Sequence, residues 1–327
     1  MPNTLQKSSI SDNQGLSVDL LNFGARICSI NFHDSQLALG LDKIEDYLDE
    51  PNYLGASIGP ITNRIANGQL TVNGELLQMP INQGNHTLHS GGLGFDKQIW
   101  QIKSHSSNQI CYSLDYDMRL AGLRGRLKCK AIFRVAGGCL TVKYRSDCDT
   151  PCYVNLTNHV YLNLSRLDDI SDHQFQLNAD SFVVVNNQKI PTGELKELSN
   201  PFKYQLGCSP SSEFDRLCDH HFNVGEPEIE TVHEMMSVVS PDSGISLTVS
   251  SNSPGFQFYT GNFLNSPFKP SGGFCVETQL APDAINQPTL FSPLLDRGQL
   301  REQLTRFQFS NTPSADNRCT SCDPRLF

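Results

Sequence analysis

The chain has 327 residues, with 34 Asp and Glu against 25 Lys and Arg, a formal charge of −9 and 38 % hydrophobic residues. This composition excludes disordered, collagen-like and coiled-coil proteins. The acidic balance, with no cluster of five or more Lys or Arg, argues against nucleic acid as a partner, because a phosphate backbone would be repelled. No run of about 18 apolar residues is present, so no transmembrane helix is expected. The opening MPNTLQKSSISDNQG lacks the basic patch and apolar stretch of a secretory signal, so a cytoplasmic location and no membrane contact are expected.

In chain order, residues 43–53 form the one plausible short helix, ending near Pro51. Ile110, Tyr112, Leu114 and Tyr116 then alternate with polar residues. Leu127, Cys129, Ala131, Phe133 and Val135 share one face, with Lys128, Lys130 and Arg134 on the other. After the turn at 136–138, Leu140, Val142 and Tyr144 continue the alternation, which predicts a hairpin with one buried and one wet face. Phe175, Leu177 and Ala179 repeat the pattern. Pro241-Asp242-Ser243-Gly244 separates residues 236–239 from Ile245, Leu247 and Val249, a second hairpin. Many short strands predict an all-β sandwich or barrel. A single domain over residues 1–327 is the simplest organisation, with 311–327 as a loose tail.

The 11 cysteines are odd in number and show no disulfide spacing, so free, mostly buried thiols in a reducing compartment are expected. Cys319 and Cys322 form a C-x-x-C pair. A zinc or redox site there would need a second ligand pair or a strand–helix context, and a frayed tail is the simpler expectation.

Polar side chains crowd into otherwise apolar sequence in five segments: 59–68, 86–92, 154–164, 219–222 and 274–283. Taken singly, each has a structural explanation, since an isolated His or Asn in a strand is usually a hydrogen-bonded framework residue. Two segments say more. In 155–164, read as a strand, Asn155, Thr157, His159 and Tyr161 lie opposite Leu156, Asn158 and Leu162. An imidazole there can exchange a proton near neutrality. In 274–280, Cys275, Glu277 and Gln279 share one face. Glu277 is thus a carboxylate inside an apolar strand, and burial would make it a better base. The chain has no Gly-x-Ser-x-Gly elbow, phosphate loop or dinucleotide fingerprint. Proton transfer without a cofactor or metal is the chemistry these residues suggest.

At these residues the chain closely resembles the aldose 1-epimerase (galactose mutarotase) family. The likeness runs from about Leu16 to Phe309 through NFGARI (22–27), NRIANG (63–68), LHSGGLGFDKQIW (88–100) and VNLTNHVYLNL (154–164). It continues through IPTGEL (190–195), DHHF (219–222), PGFQFYTGNFL (254–264) and ETQLAPDAINQP (277–288). The resemblance implies a large antiparallel β-sandwich with a sugar cleft, and an isomerase interconverting α and β anomers of a neutral aldohexose such as galactose or glucose. By resemblance, Glu277 is the general base at the C1 hydroxyl and His159 the general acid at the ring oxygen. His89 matches a second active-site histidine that orients the substrate or polarises O5. Asn63, Arg64, Asp219 and Gln279 match groups that bind sugar hydroxyls. No cofactor is implied, the partner is a small sugar, and the protein would be a monomer or homodimer.

Physical chemistry fits that assignment. An uncharged sugar needs no phosphate cradle, and a guanidinium fork with carboxylate acceptors suits vicinal hydroxyls. Phe95, Trp100, Phe258 and Tyr259 could face the pyranose C–H bonds, although core packing is the simpler expectation for most of them. The chain departs from the family at four places. Gly59-Pro60 stands where Gly-Arg is usual, giving one basic group fewer near the cleft. Ser90 interrupts Leu-His-Gly-Gly, Leu162 replaces a Phe, and residues 119–126 lack Tyr-Pro-Gly. Two other readings share the fold. A non-catalytic sugar-binding protein would need neither acid nor base. A hexose-phosphate epimerase would need more Arg or Lys at the cleft than this chain offers.

Overall fold

The computed structural model describes residues 4–198, 202–205, 218–224, 231–292 and 294–311. The expected tail beyond residue 311, with Cys319 and Cys322, lies outside the described residues. The architecture is built from antiparallel sheets. The largest has nine strands, in the order Gln101–His105, Gln109–Asp117, Arg126–Ala136, Cys139–Cys148, Arg301–Asn311, Ile245–Ser251, His233–Val239, Gln174–Leu177 and Phe202–Gln205. A five-stranded sheet orders Pro191–Glu197, Ser181–Val185, Asp219–Asn223, Gly255–Tyr259 and Cys275–Thr278. A four-stranded sheet is formed by Lys7–Ser11, Leu16–Leu21, Arg26–Phe32 and Ser35–Gln36. Among the described residues no helix is long and apolar enough to cross a membrane.

Both predicted hairpins form. Arg126–Ala136 pairs with Cys139–Cys148 around Gly137 and Gly138, and His233–Val239 pairs with Ile245–Ser251. The period-two pattern explains why: Leu127, Cys129, Ala131, Phe133 and Val135 are all buried while the lysines face out. The inner face of the large sheet is tied to the site-bearing elements by polar bridges. Tyr144 Oη donates to Ser57 Oγ at 2.8 Å. Gln303 Nε2 donates to the carbonyls of Leu156 and Thr278 at 2.8 and 2.7 Å, and Thr278 and Thr305 hydroxyls meet at 2.5 Å. These bonds satisfy buried backbone acceptors and fix the level of the five-stranded sheet against the large one.

Two local expectations are corrected. The helix expected over 43–53 is only a 3₁₀ turn, Ile44–Leu48. Its Tyr47 ring supplies the cause, being buried under the guanidinium of Arg26 at 5.1 Å and so fixed by tertiary packing rather than helical periodicity. The segment 155–164 is not one strand. Only Thr157–Asn158 pairs, with Ser57–Ile58, flanked by single bridges at Asn155 and Leu162. Residues 155–163 are all buried, so both of the expected sides face protein. The polar members satisfy backbone groups instead: Asn155 donates to Leu280 O and Asn158 to Gly55 O. The eight described cysteines are free thiols and seven are buried, as the composition suggested.

Candidate active site

One hollow of about 190 Å³ opens beside the last strands of the five-stranded sheet. It is smaller than the ~300 Å³ at which drug-sized sites begin, which suits a compact ligand. His89, His159 and Glu277 line it together with Asn63, Arg64 and Asp219. Six of the seven residues named from the sequence therefore meet in one place. A wider depression of about 740 Å³ lies elsewhere, lined by Lys103, Lys128, Lys130 and Arg145 with Asp115 and Asp147. Among the described residues its lining contains neither an imidazole nor a buried carboxyl.

His159 reaches the hollow because the backbone beneath it is held on both sides. Its N–H donates to Ala56 O at 2.9 Å and its carbonyl accepts from Gly55 N at 3.0 Å. Gly55 has φ +65°, and a Cβ there would fall 1.8 Å from Ile27 O, so only glycine allows this approach. Glu277 lies on Cys275–Thr278 opposite Gln257. The two functional side chains meet with His159 Nε2 3.8 Å from Glu277 Oε1, both almost wholly buried. Among the described residues Glu277 Oε2 is buried with no hydrogen-bond partner.

Burial governs the charge of this pair. It pushes the Glu277 carboxyl up to about 8, helped by the nearby Asp219 and opposed by Arg64. It pulls the His159 imidazole down to about 4, and the positive charge of Arg26 acts in the same direction. Arg26 is itself fully buried, held by Glu50 at 3.4 Å and Leu54 O at 2.8 Å. Between those two values the pair holds one exchangeable proton, favoured on Glu277.

His89 is fixed differently. It exchanges hydrogen bonds with Asn63: His89 N donates to Asn63 O at 3.1 Å, and Asn63 N donates to His89 Nδ1 at 3.1 Å. Both residues are in the left-handed region, at φ 49° and 59°, local strain that the reciprocal bonds hold in place. With Nδ1 accepting, the neutral ring carries its hydrogen on Nε2 and is a donor. Burial lowers the His89 pKa well below the usual histidine value, so this neutral form is the one present. His89, His159 and Glu277 offer donor atoms within 4.8 Å of one another. The Asn63–His89 bond leaves the His89 Nε2 lone pair occupied by hydrogen, which suits hydrogen donation to a ligand rather than cation ligation.

Arg64 is braced by Gln83, which accepts from Nε at 2.7 Å, and by Asn63 Oδ1 at 3.4 Å from Nη1. Asp219 Oδ1 accepts from Gln257 Nε2 at 2.7 Å. Both side chains thus reach the hollow with part of their hydrogen-bonding capacity already used for orientation.

Gln279 is the exception. The strand stops at Thr278, and Gln279 is buried outside the lining, its Nε2 donating to Leu280 O. Its sequence position two after Glu277 misleads because the regular pleat does not continue past the strand end. Pro60 is also buried away from the lining, its carbonyl accepting from Asn155 N. Ser90, the inserted residue, bonds Ile61 through both N–H and C=O at 2.9 Å.

The aromatic wall was largely missed from sequence. Phe95, Trp100 and Phe258 are core residues, while Tyr259 lines the hollow with Tyr53, Tyr161 and Phe263. Tyr53 packs edge-on to His89 at 4.6 Å, and Tyr161 lies 5.0 Å from the His159 ring. Phe263 is 66 % exposed yet stacks on Tyr259 at 6.4 Å. Exposure of so large a ring at a pocket mouth was the one signal available, and it exists only in three dimensions.

The chain matches the aldose 1-epimerase family model over residues 6–308. It is 35 % identical to the galactose mutarotase of Bos taurus, with 94 % of each chain covered. It is 32 % identical to the aldose 1-epimerase of Escherichia coli, covering 92 % of this chain and 94 % of that one. Among solved structures it is similar to the aldose epimerase homologue from C. elegans, at TM-score 0.88 and 26 % identity over 95 % of this chain and 100 % of the other. The galactose 1-epimerase of Lactobacillus acidophilus shares the fold at TM-score 0.81, with 22 % identity over 95 % of this chain and all of that one. Matched along nearly its whole length in sequence and in fold, the chain belongs to the aldose 1-epimerase family of isomerases.

Proposed function

We propose that the protein interconverts the α and β anomers of a neutral aldohexose such as galactose or glucose, with Glu277 and His159 moving the protons. The observation that carries this reading is the buried imidazole–carboxyl pair, 3.8 Å apart, whose two residues both line one small hollow. Glu277 takes the proton of the C1 hydroxyl. Its electron pair forms the C1 carbonyl, the bond from C1 to the ring oxygen breaks, and that oxygen takes a proton from His159 Nε2. The C1–C2 bond turns and the same steps run backwards on the other carbonyl face, with acid and base exchanged. A sugar hydroxyl donating to the Glu277 carboxyl favours the carboxylate and moves the shared proton toward His159. His89 donates from Nε2, while Asn63, Arg64 and Asp219 hold ring hydroxyls.

Among the described residues the lining contains one guanidinium, that of Arg64, beside the carboxyls of Asp219 and Glu277. That balance suits hydroxyls and disfavours a phosphate ester. The described lining residues all come from this chain, and the proposal is of a monomer or homodimer. The free thiols fit a reducing, cytoplasmic setting.

Polarimetry of freshly dissolved α-galactose, α-glucose and a hexose 6-phosphate tests this proposal, after subtraction of the spontaneous rate. The neutral sugars are expected to show the higher kcat/KM, and a preference for the phosphate ester would overturn the substrate assignment. The pH profile of kcat/KM follows from the pair. Below about 4 His159 binds a second proton and no base remains. Above about 8 the shared proton leaves and no acid remains. A plateau between these limbs is expected, and a profile rising steadily through pH 8 would contradict the shared-proton arrangement. Treatment with a chelator is expected to leave the rate unchanged; loss of activity restored by one particular metal would refute this mechanism.

A further inference from the structure

The two side chains that bracket the His159 ring come from one strand. Cys275 and Glu277 are two residues apart on Cys275–Thr278, so the pleat turns both to the same face. Cys275 Sγ lies 3.5 Å from His159 Nδ1, and Glu277 Oε1 lies 3.8 Å from His159 Nε2. The thiol is wholly buried. Burial, with the charges of Glu277 and Asp219, holds it well above the ordinary cysteine range, so it is uncharged.

We infer that Cys275 is a positioning residue for the epimerase reaction: its neutral sulfur accepts the Nδ1 hydrogen of His159 and fixes the tautomer in which Nε2 exchanges protons with the sugar. The inference rests on the reading of His159 as the proton donor. It adds a residue that the aldose 1-epimerase assignment does not itself require.

An imidazole serves as a proton shuttle at Nε2 only if Nδ1 keeps its hydrogen in both charge states. A carboxylate at Nδ1 would secure that hydrogen, but it would also stabilise the imidazolium and weaken it as an acid. Sulfur is a weak, uncharged acceptor, so it orients the ring without stabilising the cation. That suits protonation of a ring oxygen, which is a poor base. The two active-site histidines are then set in opposite senses. A backbone N–H occupies Nδ1 of His89 and makes its Nε2 a fixed donor. A thiol receives the Nδ1 hydrogen of His159 and leaves Nε2 free to gain and lose a proton. The His159 backbone carbonyl also lies near its own ring and competes for that hydrogen, so the test must separate the sulfur from the carbonyl.

Long-range 1H–15N spectra of 15N-histidine-labelled protein at pH 7 report the tautomer directly, without turnover. His159 is expected to show hydrogen on Nδ1 and a bare Nε2. In Cys275→Ala a mixture of tautomers is expected, with kcat down about 10-fold and KM unchanged, since a wrong tautomer presents no usable nitrogen. Cys275→Ser, which restores an acceptor, is expected to recover the single tautomer and most of kcat. A wild-type spectrum with hydrogen on Nε2 would overturn the inference. So would a Cys275→Ala protein with wild-type tautomer and kcat, because the carbonyl alone would then suffice. If His159 proved dispensable for activity, the proton-donor reading would fail while the tautomer measurement still reported on the sulfur.

Discussion

Glu277→Gln is expected to slow anomer interconversion by roughly 10²- to 10⁴-fold, the usual range for a positioned acid or base. The amide keeps the shape of the side chain but cannot accept the C1 proton. KM is expected to change little, because Arg64 and Asp219 still line the hollow. Stability provides a control on the same variant. Burial raises the Glu277 carboxyl to about 8, so the folded state binds a proton that the unfolded chain releases near the ordinary carboxyl value of ~4.3. The native stability from this group is fully present below that value and is lost as pH rises toward about 8. A neutral amide removes the dependence, so the variant at pH 8 is expected to melt no lower than the parent protein. A folded Glu277→Gln enzyme with near-parental kcat would show that another group is the base.

His159→Ala is expected to lower kcat by a similar factor, roughly 10²- to 10⁴-fold. The mechanism needs acid and base in the same turnover, so the two losses are not independent. The double variant Glu277→Gln/His159→Ala is expected to be no slower than the slower single variant, a non-additivity that marks groups acting as a unit. Truncation also opens space beside Tyr161 and Cys275, so His159→Asn is the better check that the fold survives. Losses in the two single variants that simply multiply in the double would mean that each group acts in a separate step. Spontaneous mutarotation sets the floor of all these measurements and must be subtracted at each pH.

The strands were legible because burial on one face of a sheet writes itself into sequence with period two. Arg126–Ala136 and Cys139–Cys148 are the clearest cases, with partners joined by a short glycine turn. Segment 155–164 reads as one strand because its residues sort onto two opposite sides, but the polar members belong to neither face of a continuous strand. They are buried and bonded to backbone groups of segments far away in sequence, such as Asn155 to Leu280. Gln279 illustrates the same limit at the site itself. Extrapolating the pleat by two residues places it beside Glu277, whereas the strand ends first and its amide turns to Leu280 O.

The sequence by itself determined the all-β architecture, the family motifs and the residue types that carry the chemistry: an imidazole and a carboxyl set among apolar neighbours. Tertiary structure alone decided how those groups behave. It brings His159 against a strand 116 residues away from it to Cys275. It removes water from both members of the pair, reverses the order of their proton affinities, and occupies Nδ1 of His89 with a backbone N–H. The physical reason is that periodicity reports only which side of a chain avoids water. Ionisation and tautomer depend on every charge and acceptor within a few ångströms, and those arrive from all parts of the fold.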